Sequence, residues 1–176
     1  MTAGRMHADE VDTNIDLVVR LLAAQFPQWA NLPIRPVPSA GTDNALYRLG
    51  DDMVVRLPRI DWAIGDVAKE QQWLPKLAPF LPLAIPVPLA KGQPGEGYPW
   101  DWSIYRWLEG ENATVEYIAD FHQAATDLGR FVYALQQIDP SDGPSSERGR
   151  PLAEFDHDVR VALDSLRGIV NVGAAT

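Results

Sequence analysis

The stretch Ser39–Arg59, SAGTDNALYRLGDDMVVRLPR, decides the fold predicted for this chain. It opens with a loop of small residues and continues as a segment in which apolar and polar side chains alternate, as they do along a strand. Asp51 and Asp52 form the turn, and Met53–Leu57 is an apolar strand interrupted by one charge, Arg56. A small-residue loop above a hairpin, with a cation on the second strand, is one way to hold a phosphate. On these residues alone, an ordinary hairpin whose arginine faces solvent is the favoured interpretation.

Length and charge limit the classes of function. The 176 residues suffice for one ordinary domain or two small lobes. The net charge of −9 argues against nucleic acid as a partner, because phosphate backbones need clustered Lys and Arg, but it would suit a small cationic substrate. The absence of cysteine excludes disulfides, thiolate metal sites and a cysteine nucleophile. With no apolar run near the roughly 18 residues of a membrane span and no signal-peptide core, a cytoplasmic protein without a membrane partner is expected.

Helical and extended segments alternate along the rest of the chain. Apolar residues recur at steps of three and four in four segments, and a run rich in β-formers precedes Gly110. Pro27 is expected to make the last turn of the first helix irregular. Asp61 is the expected N-cap of the second helix, and Pro75 is expected to break that helix before Leu77. The expected helices are Ala8–Trp29, Asp61–Leu74, Tyr117–Ile138 and Glu154–Leu166, the expected strand is Trp100–Leu108, and Pro82–Pro88 is expected to be a connector or an edge strand.

One carboxylate falls on the apolar side of the second helix. Glu70 is in register with Ala63, Val67 and Leu74. A charge that faces inward needs a partner, and Arg56 on the preceding strand is available. The alternative is a slightly rotated helix that leaves Glu70 at the edge of the stripe.

Four segments in this order resemble the aminoglycoside phosphotransferase family of kinase-like small-molecule phosphotransferases. They are SAGTDNALYRLGDDMVVRLPR, KEQQWLP, WSIYRWLEGE and LGRFVYALQQIDP, and the resemblance runs from about residue 9 to residue 155. It implies an α+β fold. A protein-kinase-like N-terminal lobe, with an antiparallel sheet of about five strands and a packed helix, would occupy residues 1–110. Residues 111–176 would be the first helices of an incomplete helical C-terminal lobe that carries the substrate site.

The resemblance implies a phosphate-binding part of a nucleotide site. Gly41, Thr42 and Asn44 belong to the loop, where Gly41 lets the backbone approach a ligand and Thr42 can donate to a phosphate oxygen. Arg56 stands where many kinases have the strand lysine that binds the nucleotide's phosphates, and Glu70 resembles the helix carboxylate that orients this cation.

A second part of the implied site is the linker between the lobes. Arg106, Trp107 and Leu108 match the segment whose backbone hydrogen-bonds the adenine edge in such kinases. Tyr105 and Trp107 would wall the purine, or at least one of them would belong to the core. Glu109 would meet a ribose or a cationic substrate, or be simply solvated.

The catalytic signature of the family has no counterpart in this chain. The family's catalytic loop contains His-Gly-Asp followed five residues later by Asn, and a later Asp holds magnesium. None of His7, His122 and His157 is followed by Gly-Asp. Asp156 and Asp158, which flank His157, resemble a metal pair but are expected to be helix-start carboxylates. No catalytic or metal-binding residue is therefore assigned.

The resemblance implies ATP-dependent or GTP-dependent phosphorylation of a hydroxyl on an aminoglycoside-like small molecule. This chain would carry the nucleotide-binding half and be inactive alone, as a fragment, a truncated gene product or half of a split enzyme. The alternative is a non-catalytic kinase-like nucleotide-binding or interaction module. It would self-associate through an exposed helical stripe that includes Phe121, Leu128 and Leu135.

Overall fold

The computed structural model describes residues 9–38, 41, 43–144 and 151–167. These residues belong to two compact units, Met1–Asp139 and Pro140–Thr176, each of which is described by itself. The lobe boundary near residue 110, implied by the resemblance, remains a prediction. Within the described ranges, no helix combines the length and the apolar character that crossing a bilayer requires.

The first unit is built on one antiparallel sheet of five strands, in the spatial order β1-β2-β3-β5-β4. The α+β class and the five-stranded antiparallel sheet predicted from the sequence are therefore confirmed. The strands are β1 (Ile34–Pro36), β2 (Asn44–Leu49), β3 (Met53–Pro58), β4 (Pro88–Gly92) and β5 (Trp102–Arg106).

The hairpin of β2 and β3 divides the sheet into a core face and an open face. Its turn contains Gly50 at φ +59°, in the left-handed region that glycine adopts without strain. Tyr47, opposite Val55, is buried on the core face, whereas Leu46, opposite Arg56, lies on the other face. This strand alternation is the one predicted from the sequence, and it places Arg56 away from the core.

The core face is covered by helix α1 (Ile15–Gln25), which buries Val18 and Leu21 against the sheet. The predicted helix Ala8–Trp29 starts too early, whereas the irregular last turn expected at Pro27 is confirmed. The Asn14 side chain accepts a hydrogen bond from the Leu17 N–H at 2.8 Å and thereby starts the helix. At the other end, proline at 27 separates a short 3-10 turn, Pro27–Trp29, from it.

Helix α2 (Ile64–Leu77) lies over the open face. The prediction that Pro75 breaks it is wrong, because Pro75 sits in the last turn and removes only one hydrogen bond near the helix end. Asp61 is not an N-cap either. It begins a 3-10 turn, Asp61–Ala63, and the N-cap position of α2 is Ala63.

The remaining strands form the other half of the sheet. β5 is shorter than the predicted Trp100–Leu108, and β4 at the edge follows the proline-rich connector. Gly92 in β4 faces Trp102 so closely that a Cβ at this position would lie 2.0 Å from the Trp102 ring. Glycine is therefore required for the β4–β5 pairing.

Helix α3 (Phe121–Gln136) is capped by Asp120, whose carboxylate accepts a hydrogen bond from the Gln123 N–H at 2.9 Å. It is shorter than the predicted Tyr117–Ile138, because this cap fixes its start. In the second unit, a 3-10 turn, Leu152–Phe155, leads into α4 (Asp156–Ser165). Asp156 and Asp158 occupy its first turn, as predicted.

Candidate functional site

A cleft of about 940 Å³ opens on the face of the sheet opposite α1. Seven of the eight residues predicted to bind a nucleotide line it, and the eighth, Thr42, lies outside the described residues. The seven are Gly41, Asn44, Arg56, Glu70, Arg106, Trp107 and Leu108. The structure thus brings together residues from the loop before β2, from β3, from α2 and from the segment after β5.

Arg56, Glu70 and Tyr105 form one hydrogen-bonded group in the cleft. The Arg56 guanidinium and the Tyr105 hydroxyl both donate to Oε2 of Glu70. The Arg56 and Glu70 side chains are 22% and 25% exposed, so each can still be reached from the cleft. The inward register of Glu70 and its pairing with Arg56, both predicted from the sequence, are confirmed.

This group shifts the pKa values of two of its members. Burial alone would lower the pKa of the Arg56 guanidinium, but the hydrogen bond and charge of Glu70 outweigh it and raise that pKa above its ordinary value. Burial, aided by the hydrogen bond to Glu70, raises the pKa of Tyr105 to about 12. Arg56 is therefore a permanent cation and Tyr105 a neutral donor at physiological pH.

Helix α2 is fixed to the sheet by the residue next to Glu70. The Gln71 side-chain amide donates to the Ala90 carbonyl and to the Ser103 hydroxyl, at 3.0 Å each. These bonds connect α2 to β4 and to β5, so they set the distance between Glu70 and the sheet.

The loop end of the cleft is fixed by the backbone. The Arg59 N–H donates to the Asp43 carbonyl at 2.7 Å, which holds the end of the loop against the end of β3. Asn44 begins β2, and its side-chain oxygen is buried without a hydrogen-bond partner among the described residues. The amide of Asn44 is therefore a polar group that a ligand in the cleft can satisfy.

At the linker end of the cleft, some backbone N–H groups donate hydrogen bonds within the protein and one does not. The Arg106 N–H donates to the Val87 carbonyl at 2.9 Å, and the Trp107 N–H donates to the Asp52 carbonyl at 2.8 Å. Within the described part of the chain, no hydrogen bond of the Leu108 amide is found. Tyr105 is only 3% exposed, whereas Trp107 is half-buried at the cleft wall. Of the two predicted aromatic walls, Tyr105 is thus largely core.

Sequence reasoning missed several lining residues. Leu46 and Val54 follow from strand alternation, because each lies two residues from another position of the same face. Pro86 and Asn112 carry no sequence signal, since tertiary folding alone brings their loops to the cleft. The missed lining residues are Asp43, Leu46, Val54, Leu74, Pro86 and Asn112.

The described residues do not fit a metal site. No group of three or more His, Cys, Asp or Glu side chains in the described ranges is arranged to hold a metal ion. His122 and His157 are exposed, and His7 lies outside those ranges. Glu70, the carboxylate in the cleft, is engaged by Arg56 and Tyr105.

Comparison with solved structures shows which known proteins have a similar fold. The GDP complex of the F108L mutant of aminoglycoside 2'-phosphotransferase-IIIa matches with a TM-score of 0.74 at 20% identity, over 90% of this chain and 54% of that chain. The streptomycin–ATP complex of APH(2")-IIa matches with a TM-score of 0.57 at 17% identity, over 89% and 54%. Macrolide 2'-phosphotransferase MphH from Brachybacterium faecium matches with a TM-score of 0.55 at 22% identity, over 86% and 53%.

These likenesses show a shared kinase-like fold, and the chain spans about half the length of the solved structures that it matches. Curated proteins show no significant match. The model of the phosphotransferase enzyme family (APH) matches residues 34–168, which include the whole sheet, the cleft and α3. By that match, this chain belongs to the phosphotransferase enzyme family.

Proposed function

We propose that this chain is the nucleotide-binding half of a kinase-like phosphotransferase that acts on a hydroxyl of a small molecule. The observation that carries the proposal is the ion pair of Arg56 with Glu70 inside a cleft of about 940 Å³. Pockets of this size accommodate a nucleotide-sized ligand. Two of the matched structures are nucleotide complexes, one with GDP and one with ATP, and this supports a nucleotide as the ligand here.

Arg56 has donors left for a phosphate after it binds Glu70. A guanidinium carries five N–H donors in a planar fork, and the ion pair occupies one nitrogen, Nη1. The remaining edge matches the oxygens of a phosphate. Glu70 and Tyr105 would hold the guanidinium at the end of β3, so the cation is oriented before the phosphates arrive.

The apolar part of the cleft suits a purine. Leu46 and Val54 contribute from the sheet and Leu74 contributes from α2. In the same cleft, no hydrogen bond of the Leu108 amide is found within the described residues, so it can donate to a base edge. A backbone group of this kind can form a hydrogen bond with either adenine or guanine. We therefore propose ATP as the ligand and GTP as an alternative.

The acceptor proposed for the whole enzyme is an aminoglycoside-like antibiotic. The matched proteins are named as aminoglycoside or macrolide phosphotransferases. The net charge of −9 is favourable for a cationic acceptor. Because the catalytic sequence signature has no counterpart here, we expect this chain alone to bind nucleotide and not to turn over.

Incubation of the purified chain with ATP, magnesium and an aminoglycoside panel tests this expectation through ADP release. The expected result is no release above the rate without protein. Turnover that Arg56→Ala abolishes would show that the chain is a complete enzyme and would contradict the proposed division of labour.

A second candidate is an interaction module, and the surface of α3 favours it. Phe121, Leu128 and Leu135 are 55%, 59% and 40% exposed, although they lie on one apolar stripe. Such a stripe is a typical association surface. Light scattering should show concentration-dependent self-association that Leu128→Gln weakens, with Tyr133→Gln as a control on a neighbouring exposed side chain. A monomer at all concentrations would exclude self-association through this face.

A further inference from the structure

Arg48 is a half-buried cation that the proposed nucleotide site does not use. It lies on β2 opposite Val54, on the same face of the sheet as Leu46 and Arg56. Its side chain is only 15% exposed, yet it does not line the cleft. A charge so far removed from water requires compensating contacts.

The contacts of Arg48 all lie at the linker end of the cleft. Its Nη2 donates to the Asp51 carbonyl in the hairpin turn and to Oε1 of Glu109, the latter at 2.7 Å. Its Cζ lies 4.1 Å from the centroid of the Trp107 ring, a close cation–π distance. One guanidinium therefore joins the β2–β3 turn to two residues of the segment after β5.

Trp107 lies against Arg48 with its ring and bonds to the hairpin turn with its backbone. Its indole nitrogen is buried and has no hydrogen-bond partner among the described residues. The Arg48 guanidinium lies over the ring, and the Trp107 side chain also contributes to the lowered pKa of the neighbouring Glu109. Its backbone N–H donates to the Asp52 carbonyl, so ring and backbone are both fixed to the same turn.

Glu109 is the weaker of the two linker contacts. Its side chain is 80% exposed, and an exposed ion pair contributes little to stability. The hydrogen bond from Arg48 lowers the pKa of Glu109, so this carboxylate is charged at neutral pH. It neutralises Arg48 at the surface, and the Trp107 ring, which lines the cleft, lies against the guanidinium.

We propose that Arg48 is the positioning residue of the linker: it holds Trp107, and through it the Leu108 amide, in place before a nucleotide binds. The consequence of this inference rests on the proposed function. If the cleft binds a nucleotide, its purine wall is already in place, and less conformational entropy is lost on binding. Lysine would not replace Arg48, because an ammonium lacks the planar face that stacks on the indole and the fork that reaches two acceptors.

The test combines amide hydrogen exchange at Trp107, measured by NMR, with ATP binding measured by calorimetry. Arg48→Met and Arg48→Lys should each accelerate exchange of the Trp107 amide roughly tenfold and raise the Kd for ATP about three- to tenfold, the size of a half-buried cation–π contact. The amide of Val55 in the core serves as an internal reference and should not change. Arg20→Met is the control, since Arg20 forms a surface ion pair with Glu96 on the other face of the sheet.

The outcomes separate this inference from the proposed function. Unchanged Trp107 exchange in both variants overturns it, and so does faster exchange with unaltered ATP affinity. If Arg48→Met does not fold, Arg48→Lys, which keeps the charge, provides the same two readouts. If the unmodified chain binds no ATP, the proposed function fails, and Trp107 exchange still decides whether Arg48 holds the linker.

Discussion

The guanidinium of Arg56 on β3 donates to the carboxylate of Glu70 on α2, and the two meet inside the cleft. Both side chains are partly exposed, so the pair adds little to the stability of the fold. Its effect is geometric, because it fixes a cation that would otherwise sample several rotamers. A third member, Tyr105, shares the same carboxylate oxygen and restricts Glu70 as well.

Removal of Glu70 should weaken nucleotide binding only while Arg56 is present. We expect Glu70→Ala to raise the Kd for ATP roughly three- to tenfold, since a charge-assisted hydrogen bond contributes about 1.5–3 kcal/mol and part of it is lost to solvent. In an Arg56→Ala background the same change should have no further effect. Calorimetric titration of the four proteins measures this coupling. Independent, additive losses would show that Glu70 does not act through Arg56.

The raised pKa of Tyr105 predicts a specific sensitivity to alkali. In the unfolded chain the phenol ionises near its ordinary value of 10.0, whereas in the folded protein its pKa is about 12. Its contribution to stability is therefore complete below pH 10 and is lost as the pH rises from about 10 to about 12.

Urea unfolding at pH 9 and pH 11 measures this effect. The free energy of unfolding should be lower at pH 11 than at pH 9 in both proteins. The decrease should be about 1 kcal/mol smaller in Tyr105→Phe than in the unmodified protein. Burial also raises the pKa of Tyr98, which remains in both proteins and cancels in the comparison. An equal fall in the two proteins would mean that Tyr105 is not held neutral by its surroundings.

Gly92 should tolerate no side chain. An added Cβ would lie 2.0 Å from the Trp102 ring, whose indole N–H is held by the Gln93 carbonyl at 3.1 Å and cannot move freely. We expect Gly92→Ala to lower the free energy of unfolding by about 1–3 kcal/mol, as overpacking does. Gly65 is the matched control, because a Cβ there meets nothing within 4 Å and alanine favours the helix. Equal stability of the two variants in urea would contradict the close approach of β4 to Trp102.

The hairpin and the Arg56–Glu70 pair could be predicted from the sequence because they depend on local periodicity. Helical spacing put Glu70 inward on α2, and Arg56 was the available partner on the preceding strand. Helix ends were predicted less well. The Asn14 cap and the run of α2 through Pro75 depend on which local contact prevails, and periodicity does not decide that.

The sequence predicted the charged residues of the cleft, but not its apolar walls or the side chains that hold them in place. Gln71 and Arg48 act through contacts with residues that are distant in sequence, Ser103 and Glu109. Such pairings can be inferred only when the order of the strands in the sheet is known, because β3 lies next to β5 and not next to β4. The resemblance supplied the site's chemistry, but the packing that holds it had to come from the structure.

Calorimetric titration of ATP into the unmodified chain, Arg56→Ala and Arg20→Met tests the central claim most directly. The account predicts measurable binding to the unmodified chain and to Arg20→Met, whose ion pair with Glu96 lies outside the cleft. It predicts at least a tenfold weaker affinity for Arg56→Ala, about 1.4 kcal/mol or more for a lost phosphate contact. Absence of binding to the unmodified chain, or equal affinity in all three proteins, would contradict a nucleotide site anchored by Arg56.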